Sequence, residues 1–204
     1  MYIVIEGQDA TGKDTQAQLL AEYLRNKGKA VTHYAESGTA SDDPFISEIA
    51  RLNYGTTQNI DHRTRALLFL INRYEQWRRF AEPALKRGET VITTRNWFST
   101  LVYEGYGGGV SRNLIVRIHK LVLPEHYFKP DKIVILTLSD AERKKRLIAQ
   151  GKRSSEVFKS MASEFQQKLN RSYLTVAKDY KIPTLDAAGT PKEVSQRLIK
   201  LFSL

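Results

Sequence analysis

The stretch YIVIEGQDATGKDTQ, Tyr2 to Gln16, constrains this chain more than any other. A Val/Ile run passes through a glycine turn into a segment whose Leu19, Leu20, Tyr23 and Leu24 share one helical face, which reads as strand, turn and helix. Gly7, Gly12 and Lys13 have the G-x-x-x-x-G-K spacing of a phosphate-binding loop. In such a loop, backbone N–H groups converge on an anion, the following helix adds the positive end of its dipole, and lysine reaches the outer phosphates. Glycine supplies the unusual dihedrals and lets the backbone approach closely. Gly7, Gln8, Asp9, Ala10, Thr11, Gly12, Lys13, Asp14 and Thr15 are therefore the candidate phosphate-binding residues, with Lys13 expected as an exposed cation. The pattern normally ends in Ser or Thr, whose hydroxyl meets Mg²⁺. Here Asp14 holds that place and Thr15 follows. A glycine turn that only joined a buried strand to a packing helix would leave the lysine unexplained.

A chain of 204 residues, 41% of them hydrophobic, can bury one substantial core, and no Pro/Gly/Ser-rich linker divides it, so residues 1–204 are expected to form a single domain. The absence of cysteine excludes disulfides, thiolate catalysis and zinc-thiolate sites. The first residues read as a strand and not as a leader, and no apolar run approaches a membrane span, so a cytoplasmic location is expected. A net charge of +10 suits either a nucleic-acid surface or a pocket for small polyphosphates. The densest basic cluster is Arg143, Lys144, Lys145, Arg146, Lys152 and Arg153, and such clusters are most often solvated helix faces. Nucleic acid therefore rests on charge alone. His33, His62, His119 and His126 have no carboxylate at ligand spacing and read as structural or surface residues.

In chain order, strands are expected near Ala30 to Tyr34, Thr90 to Thr93, Lys132 to Leu138 and Ile182 to Leu185. Helices are expected near Pro44 to Leu52, Ile60 to Arg87 with Gly88 as stop, Ser111 to Leu123, Ala141 to Gln150 ended by Gly151, Ser155 to Tyr180, and Pro191 to Phe202. Alternation of this kind implies βαβ crossovers and a parallel sheet covered on both faces, an α/β fold. Ligands then gather at the carboxyl ends of the strands, which carry the Gly7 loop, Glu36 to Thr39, Thr94-Arg95 and the region after Leu138. In the long helix, Leu67, Leu70, Ile71, Tyr74, Trp77 and Ala81 have the spacing of a buried stripe, while Arg65, Phe69 and Arg73 line another side. An aromatic between two arginines suits a base-binding wall. The alternative from spacing is a solvent-facing helix with a satellite contact at Phe69.

The segments IEGQDATGKDTQ, ESGT, ALLFLINRYEQ, LKRGETVITTRNWFSTLVYEGYGGG and PTLDAAGTPKEV, taken together, closely resemble the thymidylate kinase family of P-loop nucleoside monophosphate kinases, end to end. In that family the third strand leads into an Asp-Arg-aromatic triplet, a Ser/Thr pair and an Ala-Tyr-Gln-Gly turn. Arg95, Ser99, Thr100, Tyr103 and Gly105 stand at matching positions. The resemblance implies a three-layer P-loop NTPase fold with a central parallel sheet of about five strands, helices on both faces and a basic lid near residues 141–158. It implies transfer of a phosphoryl group from ATP, with Mg²⁺, to a pyrimidine nucleoside monophosphate, most simply dTMP, in a homodimer. Lys13 and the loop would hold the donor phosphates, Asp9 would orient the acceptor, Phe69 would stack on the base and Arg73 would hydrogen-bond it. Arg95 would grip the acceptor phosphate, with Glu36, Ser99, Thr100, Tyr103 and Glu104 also at the acceptor. Arg146 falls where the family carries a lid arginine. Lys13, Arg95, Asp9 and Arg146 would be the catalytic set.

Several positions depart from the family pattern. Asp14 replaces the metal-binding hydroxyl and is itself a candidate Mg²⁺ ligand, since a carboxylate beside the phosphate lysine repels ATP unless a divalent ion intervenes. Thr94 replaces the triplet's aspartate, Asn96 its aromatic and Glu104 the glutamine. Asn72 replaces an aspartate, Ala35 and Ser37 interrupt an Arg-Glu-Pro-Gly pattern, and Gln150 replaces a second lid arginine. The string DATGKD is also similar to the Asp-Ala-Ala-Gly-Lys-Asp loop of second-family polyphosphate kinases, so polyphosphate is the alternative donor. A non-catalytic nucleotide sensor is the other alternative, motivated by Thr94.

Overall fold

The computed structural model describes residues 1–38, 41–54, 60–149 and 163–204. Five strands form one sheet: β1 (Tyr2–Gly7), β2 (Val31–Ala35), β3 (Thr90–Thr94), β4 (Lys132–Thr137) and β5 (Thr184–Asp186). All are parallel, in the order β2-β3-β1-β4-β5. The strand expected at Ile182 to Leu185 begins at Thr184 and ends at Asp186.

Alternation along β1 divides the core. Tyr2 and Val4 join Val91 and Ile135 on one face, packed with Trp77, Trp97, Tyr127, Leu169, Tyr173 and Val176. Ile3 and Ile5 join Ile92, Val134 and Leu136 on the other, packed with Leu20 and Leu24 of α1 (Lys13–Asn26) and Val194, Leu198 and Phe202 of the C-terminal helix Pro191–Phe202. Because both faces are covered, the central strands carry apolar side chains in succession instead of alternating with polar ones. A capping box of Thr190 and Glu193, with N–H···O distances of 3.3 and 2.8 Å, starts the C-terminal helix.

The long helix expected from Ile60 to Arg87 is present as α3 (His62–Gln76), a π-helical segment Trp77–Ala81 and α4 (Glu82–Lys86), with Asp61 capping its start. Its burial corrects the expected stripe. Leu70, Trp77 and Ala81 are buried, but Leu67, Ile71 and Tyr74 are 46%, 45% and 39% exposed. The buried face instead carries Phe69, Asn72, Arg73 and Gln76, because this helix covers a polar site and not only the core. Two short elements were not expected: α5 (Trp97–Thr100), which runs into a π-helical segment Leu101–Gly107, and α7 (Glu125–Phe128). Between them lies α6 (Arg112–Val122), capped by Ser111. Helix α2 spans Pro44–Tyr54 and α8 spans Asp140–Ala149. The helix expected from Ser155 is described from Ser163 to Asp179. Thr39, Gln150, Gly151, Lys152, Arg153 and the rest of the lid to residue 158 lie outside the described residues.

Candidate active site

Register sets the site. Ile5 pairs with Thr94, Ala35 with Thr94, and Gly7 with Leu136, so β1, β2, β3 and β4 end side by side and deliver their following loops to one edge. At Gly7, with φ at +147°, a Cβ would lie 2.8 Å from the Leu136 carbonyl oxygen. That close approach is why the loop leaves β1 through glycine. Ala10 and Gly12 also take positive φ, and Thr11 Oγ donates to the Gln8 carbonyl at 2.8 Å. Gly12 begins α1 with no side-chain cap, which leaves the helix terminus suited to an anion.

A cavity of about 420 Å³ lies at this edge. Asp9, Lys13 and Asp14 reach it from the loop and α1, Glu36 from the end of β2, and Phe69 and Arg73 from α3. Arg95, Ser99, Thr100, Tyr103 and Glu104 reach it from β3's end and the helical segment beyond. A second cavity of about 210 Å³ is lined by Ala10, Thr11, Gly12 and Thr15 with Arg146, Gly189 and Pro191. Gln8 serves neither cavity: its amide donates to the Gln166 side chain at 2.8 Å and ties the loop to the Ser163–Asp179 helix.

Lys13 is buried, not exposed as expected, with Nζ 3.7 Å from Asp9 and 3.4 Å from Asp14. Arg95 holds a left-handed backbone, φ +69°, at a non-glycine position. Its guanidinium pairs with Asp9, donates to Ser99 Oγ at 3.0 Å, and lies 5.3 Å from the centre of the Tyr103 ring. The Asp9 side chain is 56% exposed; desolvation by the surrounding walls would raise its carboxyl, but Arg95 and Lys13 outweigh it and hold it at about 2. Tyr103 completes the cluster by donating to Asp9 at 3.1 Å. Arg146 is not in this cluster: it donates to the carbonyls of Thr11, Ala187 and Gly189 and borders the smaller cavity. Arg143, read from sequence as part of a solvated face, is 1% exposed and donates to Gln166 at 3.1 Å.

Arg73 is held in the wall through two of its three nitrogens. Its Nε donates to Glu36 at 3.0 Å and Nη1 to Thr100 Oγ at 2.6 Å, with Tyr127 donating to the same carboxylate at 2.8 Å. Burial pushes the Glu36 carboxyl up, to about 8, while Arg73 and Tyr127 draw it back. The guanidinium sits 5.3 Å from the Phe69 ring centre, and Tyr54 meets Phe69 edge-on at 5.7 Å. The expected alternative, a solvent-facing Phe69, is therefore excluded at 9% exposure.

Glu6 was missed from sequence, and Asn72 and His62 were read without their partners. Glu6, fully buried, accepts from the backbone N–H groups of Gly7, Asn96 and Ser99, from Ser99 Oγ at 2.8 Å and from Tyr173 at 3.3 Å. It pins the segment after β3 to the phosphate loop, and a lone charge in an apolar strand was the available signal. Asn72 donates to the carbonyls of Glu36 and Ser37 at 3.1 and 3.3 Å, contacts that an aspartate's acceptor-only oxygens could not make. His62, read as a structural or surface residue, meets the buried carboxylate of Glu104 through Nδ1, a long-range partner that local spacing did not reveal. Its ring occupies the space a Cβ on Gly108 would need. Asn96, in place of an aromatic, caps α5 by accepting from Phe98 N–H at 3.0 Å.

A family model described as thymidylate kinase matches residues 5–198. The chain belongs to the thymidylate kinase family. It is 31% identical over 205 residues to a thymidylate kinase of Coprothermobacter proteolyticus, covering 100% of both chains. It is 34% identical over 182 residues to one of Wolbachia pipientis, covering 87% of this chain and 81% of the relative. The crystal structure of thymidylate kinase from Ehrlichia chaffeensis superposes with a TM-score of 0.71 at 25% identity, over 98% of this chain and 97% of that one. The five-stranded parallel sheet with helices on both sides is thus the P-loop fold of thymidylate kinases. Against that family pattern, Asn72 and Asn96 are accommodated by the contacts above, while Asp14 and Glu104 line the larger cavity itself and Thr94 lies buried behind it.

Proposed function

We propose that the protein transfers the γ-phosphoryl group of ATP to dTMP. An oxygen of the acceptor phosphate bonds to the γ-phosphorus, the bond to the β,γ-bridging oxygen breaks, and ADP and dTDP leave. The observation that carries this reading is the continuity of one cavity from Lys13 on the phosphate loop, through Asp9 and Arg95, to the Phe69 and Arg73 wall. Such a transfer needs little covalent chemistry from protein, and positioning plus cations around the transferring group supply the catalysis. Lys13 and the loop amides hold the donor phosphates, Arg95 grips the acceptor phosphate, and Phe69 stacks on the base. The Arg73–Glu36 pair, with Thr100, fixes the wall behind it. Ser99 orients Arg95, Tyr103 and Asp9 close the acceptor side, and Arg146 steadies the loop beside the smaller cavity, where the rest of ATP fits.

Mg²⁺ enters with ATP, held mainly by phosphates and water. The half-exposed Asp14 carboxylate beside Lys13 offers the hard oxygen such an ion prefers. When bound, the ion neutralises charge on the β- and γ-phosphates. The protein acts as one domain, in the cytoplasm where both nucleotides are supplied. Among the described residues no helix is long and apolar enough to cross a membrane.

A homodimer accounts for the exposed apolar residues of α3. Leu67, Ile71 and Tyr74 recur at helical spacing, and α6, which packs on α3, leaves Leu114, Leu121 and Val122 in solvent as well. Ile71→Glu is expected to convert the dimer to a monomer in sedimentation velocity. A wild-type chain that already sediments as a monomer would remove the proposal.

The function is tested by a coupled assay offering ATP with dTMP, dUMP, dCMP or dGMP, and polyphosphate with dTMP. ATP with dTMP is expected to give the highest kcat/KM. Turnover with polyphosphate alone would move the donor to the alternative class, and nucleotide-dependent thermal stabilisation with no turnover would make the protein a sensor.

A further inference from the structure

Positions 14 and 94 both depart from the residue types expected there. The residue after the phosphate lysine ordinarily brings a hydroxyl to the metal, while a carboxylate from a neighbouring strand end completes the protein's share of the site. Here the carboxylate, Asp14, is on the helix and the hydroxyl, Thr94, is the last residue of β3. The two touch: Thr94 Oγ donates to Asp14 Oδ1 at 2.7 Å. The pairing of Thr94 with Ile5 fixes the strand end against the base of the loop, so sheet register sets the Thr94 side of the contact. Thr94 is 1% exposed, whereas the Asp14 side chain is 66% exposed and borders the larger cavity beside Lys13.

We propose that Asp14 and Thr94 form an exchanged metal-site pair, in which the carboxylate has moved to the helix and the hydroxyl to the strand, with the bond between them kept. The inference rests on the reading of the protein as an ATP·Mg²⁺ kinase and names the residues of this chain that meet the ion. Charge decides between exchange and loss. With Thr at both positions this pair would bring no carboxylate, leaving only Asp9 beside Lys13, and with Asp at both it would hold two carboxylates within hydrogen-bonding reach, one of them forced to take a proton or a cation. One carboxylate and one hydroxyl keep the site's charge at the value a single divalent ion on two phosphates needs. Thr94, donating a hydrogen bond to Asp14 Oδ1, orients that carboxylate, and Oδ2, 3.4 Å from Lys13 Nζ, is the oxygen that the ion or a water on it would share with the lysine. The Lys13 ammonium on the same side and the Thr94 hydrogen bond both favour the ionised form of Asp14 against its partial burial.

The test is a double-substitution cycle read as Mn²⁺ binding to the protein–ADP complex, followed by the EPR signal of free Mn²⁺. Thermal melts without metal, and ADP binding in EDTA, are recorded for each variant. Asp14→Thr is expected to weaken Mn²⁺ by about tenfold or more, the usual effect of removing a ligand's partner or a ligand. Adding Thr94→Asp to it is expected to restore affinity to within about threefold of wild type, which converts to roughly 0.7 kcal/mol. Mn²⁺ affinity unchanged in Asp14→Thr, or a double variant no tighter than that single one, overturns the exchange. If Asp14→Thr melts too low for titration, Asp14→Asn replaces it, keeping the shape and removing the charge. No acceptor and no turnover enter these measurements. A protein that binds Mn²⁺ in this pattern but fails to phosphorylate dTMP would sink the proposed function and leave the exchanged pair standing.

Discussion

Lys13→Met is expected to lower kcat by about a hundredfold to a thousandfold, the loss seen when one preorganised donor to a developing charge is removed. Its ammonium is the loop's only side-chain cation, and it lies in the cavity between Asp9 and Asp14. Methionine is chosen over alanine because the side chain is buried, so truncation would leave a void and mix packing with chemistry. Stability should change little. Asp9 and Asp14 lose a neighbour, but their side chains are 56% and 66% exposed and Arg95 still pairs with Asp9, so water and the guanidinium screen what is left. Single-turnover phosphoryl transfer and a thermal melt check both halves. A kcat within a few-fold of wild type would remove Lys13 from the transferring group.

The strands were legible because each is short, β-branched and bounded by turn residues, and the helices because most have a core on one side only. Where both conditions fail, so does the reading. The segment Trp97 to Gly107 is buried on nearly every side and contains Gly105 and Gly107, so it has neither amphipathic period nor helix-forming composition, yet it is helical throughout. It is ordered by tertiary contacts, chiefly Glu6 accepting from its first amides. Helix α3 shows the complementary error. Periodicity selects the more apolar face as the buried one, but here the buried face carries Asn72, Arg73 and Gln76 because it wraps the loop after β2. The phosphate loop was readable because its backbone geometry demands particular glycines. The His62–Glu104 contact was not, since it joins residues 42 apart through two elements whose approach no local pattern encodes.

That contact bears on which base the site accepts. Glu104 is 2% exposed and lines the cavity, so it does not point to solvent. Burial raises its carboxyl above the ordinary range, and the His62 imidazole against it acts in the opposite direction, with Arg65 and Arg73 the other cations facing it. Ionised, Glu104 is an acceptor only and suits the N3–H of thymine or uracil; cytosine would present a lone pair to it. In a dry pocket that mismatch is expected to favour dTMP and dUMP over dCMP in kcat/KM by about tenfold or more. The 5-methyl group should add up to about tenfold for dTMP over dUMP if it is enclosed by Phe69 and the wall at Ser99 and Thr100, whose hydroxyls are turned to Glu6 and Arg73. The sign with pH follows. As pH falls through the raised Glu104 value, the protonated carboxyl becomes a donor that cytosine N3 can accept, so the dTMP-to-dCMP ratio should fall. His62→Ala removes the opposing imidazole and should move that fall to higher pH. Glu104→Gln, which offers acceptor and donor at every pH, should narrow the ratio and flatten its pH dependence. Initial rates for the three pyrimidine monophosphates from pH 5.5 to 8.5, a span of about three units around neutrality, measure all of these together. A dCMP kcat/KM equal to or above that for dTMP at neutral pH, or a Glu104→Gln profile that overlays wild type, would take Glu104 off the base edge.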